Sequence, residues 1–169
     1  MAEERESRSV ALETAYVHDV YDQISAHCSC CPATSCSSLQ AEANGTSTRV
    51  WPRVRHFLQD LEPGSLVCDV GCGSGKYLHV NPDVFKVGGD RCSRLTELAR
   101  EKEHEVMVCD NLALPFRDDS FDAVLSVAVV HHFATTERRV NALRELARVL
   151  RIGGRLLISV WAMEQRHRK

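Results

Sequence analysis

The chain has 169 residues, of which 44% are hydrophobic, and its formal net charge is −2. This length supports one packed core and excludes two full domains. No apolar run approaches the roughly 20 residues that would span a bilayer, and the charged residues 1–8 lack the apolar stretch of a secretory signal. We therefore expect a soluble protein of the cytoplasm, with the nucleus as a second location. Four of the eight cysteines sit in or beside apolar strand-like runs, which is typical of free thiols in a reducing compartment.

Basic residues are concentrated at the C-terminal end. Residues 131–169 hold nine Lys and Arg against three acids, whereas residues 1–130 hold twelve against twenty. A basic stripe at this end of the chain could contact phosphates. For any one run of charges, however, a solvated helix face is the favoured interpretation.

The first third of the chain predicts two helices and a loop. Residues 1–12 are predicted to be disordered. From Glu13, apolar residues at helical spacing predict an amphipathic helix that ends near Ser25. Residues 27–48 are rich in Ser and Cys and predict a flexible surface loop. A second helix is predicted to begin at Trp51-Pro52 and to stop before Pro63-Gly64.

The rest of the chain alternates short apolar runs with helical stretches. The runs that predict strands are residues 65–70, 84–88, 105–109, 121–130 and 155–161. Helices are predicted over 93–102 and over 137–150, the latter ended by Gly153-Gly154. Strands that are apolar on both faces indicate an α/β protein with a parallel sheet between helices.

A glycine-rich turn follows the first predicted strand. The turn reads Asp69-Val70-Gly71-Cys72-Gly73-Ser74-Gly75, and glycines there permit positive φ angles and close approach of a ligand. Asp90 ends the next strand, where a carboxylate can accept hydrogen bonds from both ribose hydroxyls, and Asp110 ends the third. Because the carboxyl ends of parallel strands share one crevice, the three acids predict a nucleoside site.

The acid beside the turn distinguishes between nucleoside cofactors. A dinucleotide would favour a G-x-G-x-x-G turn and a long helix whose amino end faces the phosphates. Asp69 would repel phosphates and attract the ammonium group of an aminoacyl ligand. The sequence therefore favours S-adenosylmethionine over NAD.

The turn, Asp90 and the step Cys109-Asp110-Asn111 resemble the cofactor motifs of class I S-adenosylmethionine-dependent methyltransferases. More narrowly, several segments resemble the eukaryotic tRNA wobble-uridine carboxymethyl methyltransferases. This family includes the methyltransferase domain of the AlkB-like tRNA hydroxylase and a vertebrate paralogue. The segments are Tyr16-Val17-His18, Val20-Tyr21, Trp51-Pro52, Gly75-Lys76-Tyr77-Leu78, Val129-Val130-His131-His132-Phe133, Glu137-Arg138-Arg139 and Trp161-Ala162-Met163-Glu164-Gln165.

The resemblance implies a Rossmann-like methyltransferase domain over residues 13–169, with strand order 3-2-1-4-5 and without the family's last two strands. Around the methionine part of the cofactor it implies Asp69, Gly71, Gly73 and Gly75. Around the ribose it implies Asp90 and Arg91, and around the adenine Asp110, Asn111 and Leu112. The backbone of Ala128 and Val129 would close the site beneath the sulfonium.

The implied reaction esterifies the carboxylate of 5-carboxymethyluridine at the tRNA wobble position. A carboxylate is ionised at pH 7, so the reaction requires positioning and no general base. His131 or His132 would orient the uracil or its carboxylate; for either one, a plain rim or core histidine is an equal alternative. The anticodon phosphates could meet arginines of residues 138–148 and 166–169, although solubility is the favoured role of each. Tyr16 and Tyr21 could cover the cofactor, but their helical spacing favours core packing.

The resemblance also implies a partner, a small zinc-ribbon activator subunit that would pair along the edge of the third strand, residues 105–109. No metal is predicted in the chain itself, because the cysteines at 28, 30, 31 and 36 have neither C-x-x-C spacing nor a histidine at finger spacing. Two other functions stay open: a non-catalytic interaction module that keeps the fold, and a class I methyltransferase of a small molecule.

Overall fold

The computed structural model describes residues 2–28 and 49–161. Most of the predicted Cys/Ser loop, and the predicted phosphate-contacting residues 166–169, lie outside the described residues. So do residues 162–165, which carry part of the C-terminal motif.

The described residues form one five-stranded sheet in the order β3-β2-β1-β4-β5, with every neighbouring pair parallel. The strands are β1 (Leu66–Val70), β2 (Phe85–Asp90), β3 (Val106–Val108), β4 (Phe121–Val127) and β5 (Leu150–Ser159). Central strands β1 and β4 are buried on both faces, as their continuous apolar runs predict. The predicted α/β architecture and strand order are confirmed.

Helices cover both faces of this sheet. Two helices, α1 (Ala2–Glu13) and α2 (Asp19–Cys28), belong to the N-terminal segment, residues 2–28. The others are α3 (Pro52–Gln59), α4 (Ser93–Arg100) and α5 (Thr136–Val149). One core cluster joins Val54 and Leu58 of α3 to one face of β1 and β4, and a second joins Leu146 and Val149 of α5 to the other face. The sheet is thus a rigid base whose loops are free to build a site.

The prediction of disorder over residues 1–12 is wrong for residues 2–12, which are helical. Residues 2–28 form α1 (Ala2–Glu13), a π-helical turn (Thr14–His18) and α2 (Asp19–Cys28). Glu13 anchors this segment, because its carboxylate accepts two hydrogen bonds of 2.8 Å from the Arg138 guanidinium and one from the N–H of Ala134. Both partners are buried, and Glu6 contacts the same arginine. The long-range pair is invisible to a search for local periodicity.

Two element ends also differ from the predictions. Helix α5 ends at Val149 and β5 begins at the next residue, so Gly153-Gly154 lie inside the strand. The register between β4 and β5 shifts between Phe121 and Ala123, and Gly153 has φ +80°. Both features are typical of a β-bulge. Strand β4 stops at Val127 because Ala128 turns to φ +61°, and a 3₁₀ turn (Val130–His132) follows.

Across the described ranges, no helix is both long and apolar enough to cross a membrane. The same residues hold no group of three or more His, Cys, Asp or Glu side chains arranged for a metal ion.

The Glu13–Arg138 pair generates a stability prediction. Glu13→Gln leaves a buried guanidinium without its main counter-charge, so we expect the free energy of unfolding to fall by about 3 kcal/mol. Urea unfolding followed by circular dichroism measures this. The control is Glu97→Gln, which removes an exposed ion pair with Arg94 and should cost less than about 1 kcal/mol. Equal effects of the two substitutions would show that the buried pair does not anchor the helix.

Candidate functional site

A cleft of about 260 Å³ opens at the carboxyl ends of the strands, where the strand order reverses between β1 and β4. Open α/β sheets bind ligands at such a reversal. Nine of the thirteen predicted site residues line the cleft: Gly71, Gly73, Asp90, Arg91, Asp110, Asn111, Ala128, Val129 and His132. The other four, Asp69, Gly75, Leu112 and His131, are not among its lining residues.

The glycine-rich turn forms the floor of the cleft. Gly71 has φ +83°, and its N–H donates to the carbonyl of Gly89 at 2.7 Å. A Cβ atom there would meet Cγ2 of Val129 at 2.2 Å, so only glycine fits between the turn and the end of β4. Gly73 has φ +54°, and the nearest atom to a Cβ there is Cδ1 of Leu95, 4.0 Å away. Since Leu95 also lines the cleft, a side chain at Gly73 would enter the open space.

Gly75 has a structural role in the described fold. A Cβ atom on it would meet Cδ2 of His104 at 2.6 Å and Cβ of Ala99 at 3.3 Å, and neither residue lines the cleft. Its conformation, with φ +80°, is the one glycine adopts most readily. Contact between Gly75 and a cofactor stays a prediction.

Asp90 joins the turn to the end of β2. One of its carboxylate oxygens accepts from the N–H of Gly73 at 2.8 Å, and the other accepts from the N–H of Cys92 at 2.9 Å. Burial raises the pKa of this carboxyl, and the backbone hydrogen bonds oppose that rise. Each oxygen keeps a second acceptor site, so the carboxylate can hold two hydroxyl donors of a ligand.

Asp69 is buried beneath the turn and does not face the cleft. Neither of its carboxyl oxygens has a hydrogen-bond partner among the described residues. Burial, and secondly the charge of Asp90, raise the pKa of Asp69 to about 7. The sequence predicts that Asp69 shares one crevice with Asp90 and Asp110, whereas the structure buries its carboxyl outside the lining of the cleft. Contact between Asp69 and a cofactor stays a prediction.

Asp110 and Arg91 form an ion pair at the outer end of the cleft, with 3.2 Å between the guanidinium and carboxylate atoms. Both side chains are more than 40% exposed, so this pair contributes little stability. The other Asp110 oxygen accepts from the N–H of Leu112 at 2.9 Å, which shapes the loop after β3. Asn111 also lines the cleft, and its side-chain oxygen is buried without a partner among the described residues.

The opposite end of the cleft is closed by the segment after β4. Ala128 holds φ +61°, a conformation that costs an L residue about 1 kcal/mol or more and that clusters at functional sites. The rings of His131 and His132 lie 4.4 Å apart, but only His132 faces the cleft. Burial lowers the pKa of His132 to about 4, helped by His131 and His18, so the imidazole is neutral at pH 7.

Several lining residues escape the sequence reasoning. The N-terminal helical segment contributes Glu13, Val17, His18, Tyr21 and Asp22, although core packing is the favoured prediction for Tyr21. Tyr16, by contrast, is 75% exposed. The π-helical turn adds a residue per turn and rotates the following side chains, so an ideal helical wheel misassigns the face.

The other unpredicted lining residues are mostly aromatic or sulfur-containing, and they come from the start of α3, the residues after the glycine-rich turn, and the loops after β2, β4 and β5. They include Trp51, Lys76, Tyr77, Cys92, Phe133 and Trp161. All of these except Cys92 belong to segments that carry the family resemblance, and that resemblance is the available sign of a functional position.

Fold, cleft and glycine-rich turn together define a class I methyltransferase architecture. A family model described as "Methyltransferase domain" matches residues 68–158, and the chain belongs to this family. Among solved structures, a methyltransferase in complex with the Haloferax volcanii Trm112 activator has a TM-score of 0.61 and 30% identity, covering 71% of this chain and 56% of that one. An S-adenosylmethionine-dependent methyltransferase from Aquifex aeolicus has a TM-score of 0.58 and 25% identity, covering 69% and 68%.

Curated relatives are closer in sequence. "Probable tRNA methyltransferase 9B" of Mus musculus is 53% identical over 95% of this chain and 33% of its own length. The Mus musculus tRNA (carboxymethyluridine(34)-5-O)-methyltransferase ALKBH8 is 46% identical over 98% of this chain and 23% of its own. The Saccharomyces cerevisiae tRNA (carboxymethyluridine(34)-5-O)-methyltransferase is 43% identical over 94% and 52%. The chain thus spans between about a quarter and a half of these proteins.

The buried Asp69 generates a pH prediction. The unfolded chain ionises this carboxyl near pH 4, whereas the folded protein keeps its proton up to about pH 7. Its contribution to stability is therefore complete below pH 4 and is lost as the pH rises to 7. We expect Asp69→Asn, which cannot ionise, to gain about 2 kcal/mol of unfolding free energy relative to wild type between pH 5 and pH 8.

Urea titrations at the two pH values measure this difference, and Asp83→Asn, at an exposed carboxyl, serves as the control. If the Asp69 and Asp83 variants followed wild type equally at both pH values, Asp69 would be an ordinary ionised carboxylate.

Proposed function

We propose that this protein is an S-adenosylmethionine-dependent tRNA methyltransferase that esterifies the carboxylate of 5-carboxymethyluridine at the wobble position. The observation that carries the proposal is the division of the cleft. Its β2/β3 half offers Asp90, Asp110 and Asn111, and its β4/β5 half offers aromatic and imidazole side chains. One half suits a nucleoside cofactor and the other a nucleobase substrate. The names of the curated relatives support the same reaction.

The residues of the β2/β3 half fit the cofactor. The Asp90 carboxylate has acceptor capacity for two ribose hydroxyls, the Asn111 side-chain oxygen is buried without a described partner, and Gly73 leaves open space beside Leu95. Asp69 supplies a negative charge beneath the turn when it loses its proton, which favours a ligand that carries an ammonium group. When bound, S-adenosylmethionine supplies an electrophilic methyl group on a sulfonium.

The chain's own residues need to align the substrate and exclude water. Because the substrate carboxylate is already ionised at pH 7, no side chain has to remove a proton. A neutral His132 suits this task, since it can orient the substrate without adding a charge that would stabilise the carboxylate against reaction. Holding the carboxylate oxygen in line with the methyl carbon can supply up to about 7 to 11 kcal/mol of the barrier reduction.

The aromatic half of the cleft suits a nucleobase. Trp51 and Trp161 both line it, and the Lys76 ammonium lies 5.3 Å from the Trp51 ring centroid and 5.7 Å from that of Tyr77. Proteins recognise unstacked RNA bases by stacking them on aromatic rings. An ammonium beside those rings adds an attraction for an acidic substituent such as a carboxymethyl group.

The activator partner belongs to the same proposal. Strand β3 is an edge strand, Val108 is 50% exposed, and Phe85 at the start of the neighbouring β2 is 70% exposed. An apolar edge of this kind can be covered by a partner subunit. The similarity to a methyltransferase that is bound to a Trm112 activator supports this choice of partner. We also propose a cytoplasmic location, with the nucleus as a second, which suits the free thiols of Cys68, Cys72, Cys92 and Cys109.

Methyl transfer from radiolabelled S-adenosylmethionine to tRNA that lacks the ester, with the activator present, tests the proposal. We expect ester formation by wild type and a loss of at least about 100-fold in cofactor affinity for Asp90→Ala, because two charge-assisted hydrogen bonds disappear. Asp83→Ala, at an exposed carboxyl outside the cleft, is the control and should match wild type.

Each contrary outcome has a distinct meaning. Cofactor binding without esterification of any tRNA would favour a non-catalytic module. Methylation of a small acid without salt-sensitive tRNA binding would favour a small-molecule methyltransferase. Unchanged cofactor affinity in Asp90→Ala would contradict the assigned ribose site.

A further inference from the structure

Tyr21 and His132 make a direct contact across the cleft, from two elements 111 residues apart in the chain. The phenol oxygen lies 3.1 Å from Nε2 of the imidazole, and the two rings meet edge to face at 87° with centroids 5.5 Å apart. Both residues line the cleft. A hydrogen bond and a ring contact together fix the imidazole far better than either would alone.

Two uncharged groups can share this hydrogen bond in either direction, and the second hydrogen bond of the imidazole decides which group is the donor. Burial raises the pKa of the Tyr21 phenol, with a smaller contribution from Asp90, so the phenol keeps its proton at pH 7. Burial lowers the pKa of His132 to about 4, so its ring is neutral. The backbone of Ala128 raises the pKa of His132 through a hydrogen bond, as an acceptor carbonyl does, so the other ring nitrogen, Nδ1, carries the proton. A neutral imidazole accepts at one nitrogen only, so Nε2 accepts and the phenol O–H donates.

Two contacts, one on each side of Tyr21 along the chain, hold the N-terminal helical segment against the rest of the fold. On one side, Glu13 makes its buried ion pair with Arg138. On the other, the Cys92 thiol lies 3.2 Å from a carboxylate oxygen of Asp22, and Cys92 lies two residues after the end of β2. The segment therefore lies across the cleft, with the Tyr21 hydroxyl between two anchored contacts.

We propose that Tyr21 is a positioning residue: its hydroxyl group donates to Nε2 of His132 and holds the imidazole in one tautomer and one orientation at the substrate end of the cleft. This role deepens the proposed function and rests on it, because the orientation of His132 matters only if the cleft binds the tRNA substrate. With Nε2 occupied, His132 is not the base of the reaction. Its task is to present a fixed, uncharged surface to the carboxymethyl-uracil.

Tyr21→Phe removes the hydroxyl group and keeps the ring. Losing a donor to the neutral imidazole favours the protonated form, so the pKa of His132 should rise by about half to one unit, which corresponds to about 1 kcal/mol. His131 and His18, the other titratable groups that act on His132, are unchanged by this substitution. The pKa is measured by NMR titration of the imidazole signals in the full chain, without any substrate.

The same variant should lower kcat for tRNA methylation by about 10-fold or more while the KM for S-adenosylmethionine stays within about twofold. The acid limb of its pH–rate profile should move to higher pH. The matched control is Tyr16→Phe, five residues earlier in the same segment, whose ring is 75% exposed and does not line the cleft. It should change neither the His132 titration nor kcat, and thermal unfolding of both variants checks that they are folded.

An unchanged His132 pKa in folded Tyr21→Phe would overturn the proposal, whatever the activity. A shifted pKa with unchanged kcat would also overturn it, because the contact would then have no positioning role. A shifted pKa in a protein whose wild type methylates no tRNA would support the Tyr21–His132 contact and contradict the proposed function instead, so the two failures are distinguishable.

Discussion

The fit between the glycine-rich turn and the end of β4 is the constraint on which the cleft depends. Gly71 adopts a positive φ angle, and a single added carbon atom there would overlap the Val129 side chain. Because the turn packs so closely against the segment after β4, the space at the strand-order reversal is left open above them. Asp90 then fixes the other side of the turn through the N–H of Gly73. The two halves of the cleft are therefore held at a set distance by the close packing of Gly71 against Val129 and by the hydrogen bond between Gly73 and Asp90.

The N-terminal helical segment forms one wall of the cleft, because several of its side chains line it. A buried ion pair of Glu13 with Arg138 attaches it to α5, and contacts of Tyr21 and Asp22 attach it to the loops after β4 and β2. Burying a charge pair is costly unless its hydrogen bonds are well made, and here both carboxylate oxygens of Glu13 are used. The same contacts that stabilise the segment also set the position of His132, so stability and the geometry of the site are linked.

The sequence predicts most of the sheet because its signals are local: apolar runs mark the strands, and glycines and acids mark their ends. Gly71, Gly73 and Asp90 are found by that reasoning, whereas Tyr21, Trp51 and Lys76 are not. The Glu13–Arg138 pair joins residues 125 positions apart, and a π-helical turn shifts the face of the N-terminal helix. Neither feature has a periodic signature. Asp69 shows a third limit, since its residue type and spacing do not reveal that its carboxyl is buried without a partner.

A crystal structure of the protein with bound S-adenosylhomocysteine would show which half of the cleft holds the cofactor. The ribose hydroxyls should lie within hydrogen-bond distance of the Asp90 carboxylate, the adenine beside Asn111, and the sulfur at the reversal between β1 and β4, facing His132. A cofactor bound elsewhere, or one whose ribose faces the tryptophans while Asp90 contacts only the backbone of Gly73 and Cys92, would contradict the division of the cleft and the function drawn from it.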